Sequence, residues 1–145
     1  AVAIVRAAAK DAGRDPSSVP VACVVHMCLS DDPDAAAAGA RAVVPRYVLH
    51  PAVPPLFGRG PWLDEARSRT LAGDRAGAAQ LVPQEVADGF VARGDVAACA
   101  ARIEEYRAAG VDLPVVFPMP ADRAGWNYES VIVSLAPNPE PERTQ

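Results

Sequence analysis

Along residues 1–12 apolar positions recur at helical spacing. Ala1, Ile4, Val5, Ala8 and Ala12 share one face, and Arg6 and Lys10 share the other. Gly13 is placed to end this helix in a left-handed conformation, and Pro16 prevents its resumption. The pattern then changes. Val19–Leu29 is almost wholly apolar and rich in β-branched residues, as expected of a strand covered on both faces. Val19, Val21, Cys23, Val25, Met27 and Leu29 fall on one side of it. Ala22, Val24, His26 and Cys28 fall on the other, which is smaller and slightly more polar.

Ser30-Asp31-Asp32-Pro33-Asp34 is a helix-start cluster, and helix is predicted through about Tyr47, with Pro45 kinking it or ending it early. Residues 50–61 hold enough proline and glycine to form only a loop. A helix with Trp62, Leu63, Ala66 and Arg69 follows, then a break at Gly73-Asp74 and a short helix over Arg75–Leu81. Residues Pro83–Arg93 read as one helix stopped by Gly94, and Asp95 caps the next, Val96–Ala109, which Gly110 closes. Leu113–Pro118 is a second apolar strand, and Tyr128–Leu135 a last helix. Strands alternating with helices imply parallel pairing through right-handed crossovers. Two buried-type strands alone would leave open edges and wet faces, so further strands are expected from sequence upstream of Ala1. The start at Ala1, already helical and uncapped, agrees with that expectation. Residues 1–136 are taken as one unit and 137–145, polar and proline-rich, as a disordered tail.

Composition narrows the field. Half of the 145 residues are hydrophobic and the net charge is −4 with a pI near 5.1, so no electrostatic footprint for nucleic acid or an anionic membrane exists. No apolar run is long enough to span a bilayer, and no signal-peptide pattern is present. Cys23, Cys28 and Cys99 are an odd, scattered set without metal-ligand spacing, as in a reduced cytoplasmic protein.

Three stretches together resemble the luciferase-like family of flavin- and F420-dependent oxidoreductases. They are Ala7-Ala-Ala-Lys-Asp-Ala-Gly-Arg-Asp-Pro16, Leu29-Ser-Asp-Asp-Pro-Asp-Ala-Ala36, and Ala92–Val116 with its Gly94-Asp95, Arg102-Ile103, Tyr106 and Ala109-Gly-Val-Asp112. The resemblance implies the C-terminal portion of a (β/α)8 TIM barrel, holding helix six and strands seven and eight. It implies FMN or coenzyme F420 at the C-terminal mouth, hydride transfer or oxygenation of a small organic substrate, and a homodimer as one option for the full-length protein. Most catalytic groups would then lie upstream of Ala1, and residues 1–145 alone would be inactive and poorly soluble or self-associating. The competing reading is a noncatalytic helical module that buries its strands against a partner.

Within the chain, His26 stands late on the first strand, on its small-residue face. It either hydrogen-bonds a ligand near the mouth or is a core histidine paired with a neighbour. Cys28 and Ser30 either line a pocket or serve packing and capping. Tyr47 and His50 form a substrate wall or an ordinary helix contact and surface histidine. Arg59, in Gly58-Arg-Gly60, and Arg123, with Phe117 and Met119 after the second strand, are the candidates for an anionic tail, against a reading as solvated arginines. Arg93-Gly94-Asp95 is explained by helix stop and cap rather than adhesion, and Glu104 and Glu105 by solvation. No Ser/His/Asp set is present.

Overall fold

The computed structural model describes residues 1–51, 57, 60–119, 121 and 128–136. Helix α1 (Val2–Asp11) leads through a turn at Pro16–Ser18 into strand β1 (Ala22–Leu29). Helices α2 (Pro33–Val43), α3 (Pro61–Leu71), α4 (Arg75–Gln80) and α5 (Gln84–Phe90) precede strand β2 (Val91–Gly94). Helix α6 (Val96–Ala108), strand β3 (Leu113–Pro118) and helix α7 (Tyr128–Leu135) complete the order.

Local chemistry sets most of these boundaries. Gly13 adopts φ 70° after α1, and its amide bonds the Lys10 carbonyl at 2.9 Å. Asp32 caps α2 by accepting from the Asp34 amide at 2.9 Å, with Pro33 in the first turn. Pro45 does end that helix early, because the chain passes into a tight turn at Val44–Arg46. Asp74 and Asp95 cap α4 and α6, each accepting an amide hydrogen bond of 2.8 Å.

The sheet has three parallel strands in the order β2-β1-β3. Its centre is as the sequence predicted, since Val24 pairs with Val115 and Val25 with Val116. The expectation of two strands is corrected to three. Residues Pro83–Arg93 are not one helix, because the chain leaves α5 at Phe90 and Val91–Gly94 pairs with His26–Leu29. Helical periodicity over so short a stretch is overruled by hydrogen bonds available only from a distant strand. Gly94 makes the exit to α6 with φ 120°, and a Cβ there would stand 3.1 Å from that of Ala98.

β2 and β3 flank β1 on opposite sides, so right-handed crossovers must run over opposite faces. The two cores obey this. Val25, Met27 and Ala92 pack with Cys99 and Ile103 of α6. Cys28 and Val91 pack with Ala40 and Val43 of α2, Ala87 of α5, Val48 and Phe57. The second face is covered only toward the C-terminal ends of its strands. Below that cover Val24 is 54% exposed, Leu113 59%, Val115 41% and Phe117 49%. Arg6 ties α1 to the opposite end of the sheet. It donates to the Val19 carbonyl and meets Asp112 at 2.6 Å, while the Asp112 carboxylate also accepts from the Val21 amide at 2.7 Å.

Candidate functional site

Where β1 passes under α2, the covered face of the sheet holds His26, the one buried polar or charged residue among the described residues, only 9% exposed. Register sets it beside Val91 on one flank and Phe117 on the other. The turn after α2 brings the Tyr47 ring centroid to 5.0 Å from the imidazole, the end of α5 brings Phe90 to 5.2 Å, and β3 brings Phe117 to 5.4 Å, edge-on at 89°. Tyr47 and Phe90 touch each other edge-to-face at 5.1 Å, and Phe57 closes on Phe90 at 5.2 Å. All three phenylalanines of the chain thus meet in one place.

The imidazole is unusual in what it lacks. Its Nδ1 is buried and has no hydrogen-bond partner among the described residues. Burial pushes its pKa below the ordinary histidine value, and the positive charge of Arg46 pushes it the same way. The ring is therefore neutral near pH 7, with one nitrogen donating and one accepting. A neutral, hydrogen-bonding group inside an aromatic wall can orient a flat ligand without burying a charge.

The other sequence candidates fall into place around it. Ser30 stands at the end of β1. Its amide donates to the Gly94 carbonyl at 2.9 Å and its Oγ accepts from the Asp32 amide at 3.2 Å, so the hydroxyl is engaged in the helix entry. Tyr47 belongs to the cluster. His50 is exposed, its amide donating to the Tyr47 carbonyl at 3.0 Å. Arg59 and Arg123 lie outside the described residues. Cys28 is packed in the core, its thiol pushed by burial up to about 12, and Cys99 likewise to about 11, so neither is a nucleophile at neutral pH. Met119 is core, its amide bonded to the Met27 carbonyl at 2.7 Å. Arg93 pairs with Asp88 at 2.5 Å, and Glu104 and Glu105 pair with Arg107 and Arg102 on the surface. No group of metal-ligating side chains exists among the described residues. Among them, no helix is long and apolar enough to cross a membrane.

Phe90 and Phe57 were not singled out by sequence reasoning. The signal was faint: aromatic residues make up only 6% of the chain, so any two that share an element end carry more weight than usual.

By class, this is a parallel α/β chain in which, among the described residues, the one buried side-chain polar atom without a partner lies at the C-terminal half of the central strand, the end where such sheets bind ligands. A family model described as luciferase-like monooxygenase matches residues 1–113. The chain belongs to that family. Among solved structures it is similar to a coenzyme F420 dependent tetrahydromethanopterin reductase from Methanopyrus kandleri, at 25% identity and a TM-score of 0.75. The likeness covers 93% of this chain and 39% of the reductase, so the chain spans about two-fifths of that enzyme's length. No curated protein matches the sequence. The helix-rich parallel α/β arrangement thus corresponds to part of a luciferase-like TIM-barrel fold, as the motifs implied.

Proposed function

We propose that the protein is an oxidoreductase that moves hydride between coenzyme F420 and a small organic substrate, with the C-terminal ends of β1 and β3 as its ligand end. One observation carries the reading: 93% of the chain superposes on an F420-dependent reductase within a shared family. When bound, the deazaflavin supplies the hydride donor or acceptor. The chain's own part is to bind, orient and exclude water. Tyr47, Phe90 and Phe117 provide an apolar wall suited to a planar ring, and neutral His26 provides a hydrogen bond to fix its orientation. Ser30 and His50, on the segments that leave the same end, are assigned to the substrate side, and Arg123 to an anionic tail. Because the chain spans 39% of the reductase, the reading assigns hydride transfer to a longer polypeptide that contains these residues, in the cytoplasm.

The family description names monooxygenases, which favours a second reading: reduced FMN and oxygen acting on a similar substrate. Titrating the full-length protein with F420 and with FMN, following cofactor absorbance and fluorescence, separates them. Saturable binding of F420 and not FMN is the expected result. Binding of FMN alone transfers the protein to the second reading, and binding of neither overturns both.

A further inference from the structure

The last turn of α5 combines a weak backbone with a strong brace. Gly89 is helical, its φ is not positive, and a Cβ there would meet nothing within 4 Å. Neither conformation nor space therefore requires a glycine. Its presence leaves backbone freedom in the turn that ends on Phe90. No loop follows to absorb that freedom, because β2 begins at Val91. Yet the Phe90 ring stands 5.2 Å from His26 and 5.1 Å from Tyr47.

The brace is polar. Asp88 receives both prongs of the Arg93 guanidinium, Nε on Oδ1 at 2.5 Å and Nη2 on Oδ2 at 3.0 Å. The fork spans Gly89, Phe90 and Val91 and joins the last turn of α5 to β2. Oδ1 also accepts from Nε2 of Gln84, at the start of α5, at 2.7 Å, and Gln84 Oε1 accepts from Arg41 of α2. One run of hydrogen bonds thus links three elements around the covered end of the sheet, and each link is closed within the chain itself. Arg93, and Gln84 after it, hold the Asp88 carboxyl below the usual carboxylate range, so the brace stays charged into acid.

Stability alone does not account for this arrangement. The Asp88 and Arg93 side chains are 42% and 28% exposed, and ion pairs in contact with water add little to folding free energy. An alanine in place of Gly89 would firm the helix more simply. What a bidentate fork adds at such a place is a fixed geometry. Resting on the reading of this end of the sheet as the ligand end, we propose that Asp88 is a positioning residue: with Arg93 and the Gln84–Arg41 relay it fixes the junction of α5 and β2, and through it the Phe90 ring against His26.

The test uses the full-length protein and two readouts. One is the NMR resonance of the His26 imidazole, identified as the one that His26→Phe removes, which reports the ring currents of its aromatic neighbours. The other is equilibrium affinity for F420 and for FMN. Asp88→Ala is expected to move the His26 resonance in the same direction as Phe90→Leu and to add nothing when the two are combined. It also weakens affinity for the cofactor that binds about fivefold, the size of effect expected of residues coupled through a contact. Arg93→Lys keeps the charge without the fork and has the same effects in smaller measure, so it carries the test if Asp88→Ala does not fold. Gly89→Ala, which only stiffens the turn, restores part of what Asp88→Ala loses, as no simple loss of charge would allow. A His26 resonance that stays in place in both Asp88→Ala and Arg93→Lys, whatever the melting temperature does, overturns the positioning role. Unchanged affinity in a protein that binds F420 or FMN overturns it as well, while the proposed activity stands. If neither cofactor binds the unaltered protein, the activity reading fails, and the His26 resonance alone decides the positioning role.

Discussion

The two faces of the sheet are built to different standards. Under α6, Val25 and Met27 are 1% exposed and meet Cys99 and Ile103, with no buried side-chain polar atom left unpaired there among the described residues. On the other face the cover reaches only His26 and Cys28 of β1 and Val91 of β2, and it leaves both a bare apolar strip and an orphaned imidazole nitrogen. A face that only had to be stable would resemble the first. The second forgoes burial and hydrogen bonding together, which is how a surface looks when something else is meant to complete it.

The sharpest way to break this contrast is to truncate one residue on each face. Met27→Ala should cost about 2–5 kcal/mol in denaturant unfolding, because its neighbours cannot collapse into the space. Val24→Ala, three residues earlier on the same strand, on the opposite face and 54% exposed, should cost about 0.5 kcal/mol or less in the 145-residue chain. Equal losses would mean that the second face is sealed in solution and that the contrast is false.

Next in size is the turn between the faces. Gly94 carries the chain from β2 on the sheet to α6 above it at φ 120°, a conformation side chains rarely adopt. Gly94→Ala should cost about 1–3 kcal/mol from backbone strain and crowding of Ala98, measured by the same unfolding midpoint. An unchanged midpoint would show that β2 re-pairs freely and has no fixed role.

That turn also marks where sequence reasoning ran out. β1 and β3 were legible because their runs are almost wholly apolar, each with a Val-Val pair at its centre, and the caps Asp32 and Asp95 state where helices begin. β2 was not, because Val91–Gly94 is too short to show an alternating period and its identity comes from His26–Leu29, far away in the chain. The site inherited the same blindness. His26 could be placed on the small-residue side of its strand. Phe90 reaches it only because α5 stops one residue before β2 begins, and Tyr47 only because Pro45 turns the chain back toward the sheet.

A smaller effect sharpens the electrostatic side of the contrast. His26 has a lowered pKa in the folded state, chiefly through burial and then through Arg46. The unfolded chain therefore binds a proton first as pH falls through about 6.5. Stability from the buried neutral ring is complete above that value and declines as the pH drops toward the folded pKa. His26→Phe should flatten the unfolding free energy between neutral and mildly acid pH, because the α6 face contributes no histidine. A profile identical to that of the parent protein would mean that the imidazole is hydrated and that its face is not the protected one.

The smallest effect is expected at the end of the sheet away from His26. Asp112 binds β1 to β3 and α1 at once, its carboxylate accepting from the Val21 amide and from Arg6. Those bonds, the amide first and the guanidinium after it, hold its pKa below the ordinary carboxylate value. A lowered carboxylate pKa contributes stability that is full above the unfolded value near 3.9 and is lost as pH falls through the folded one. The group is solvent-exposed and screened, so the contribution is slight and should shrink further in high salt. Asp112→Asn should consequently move the unfolding midpoint downward at pH 7, leave it nearly unchanged once the parent carboxylate is protonated, and leave ring-ligand affinity at His26 untouched. A loss of ligand affinity from this substitution would show that the far end of the sheet controls the wall, and the two regions would have to be treated as one mechanical unit.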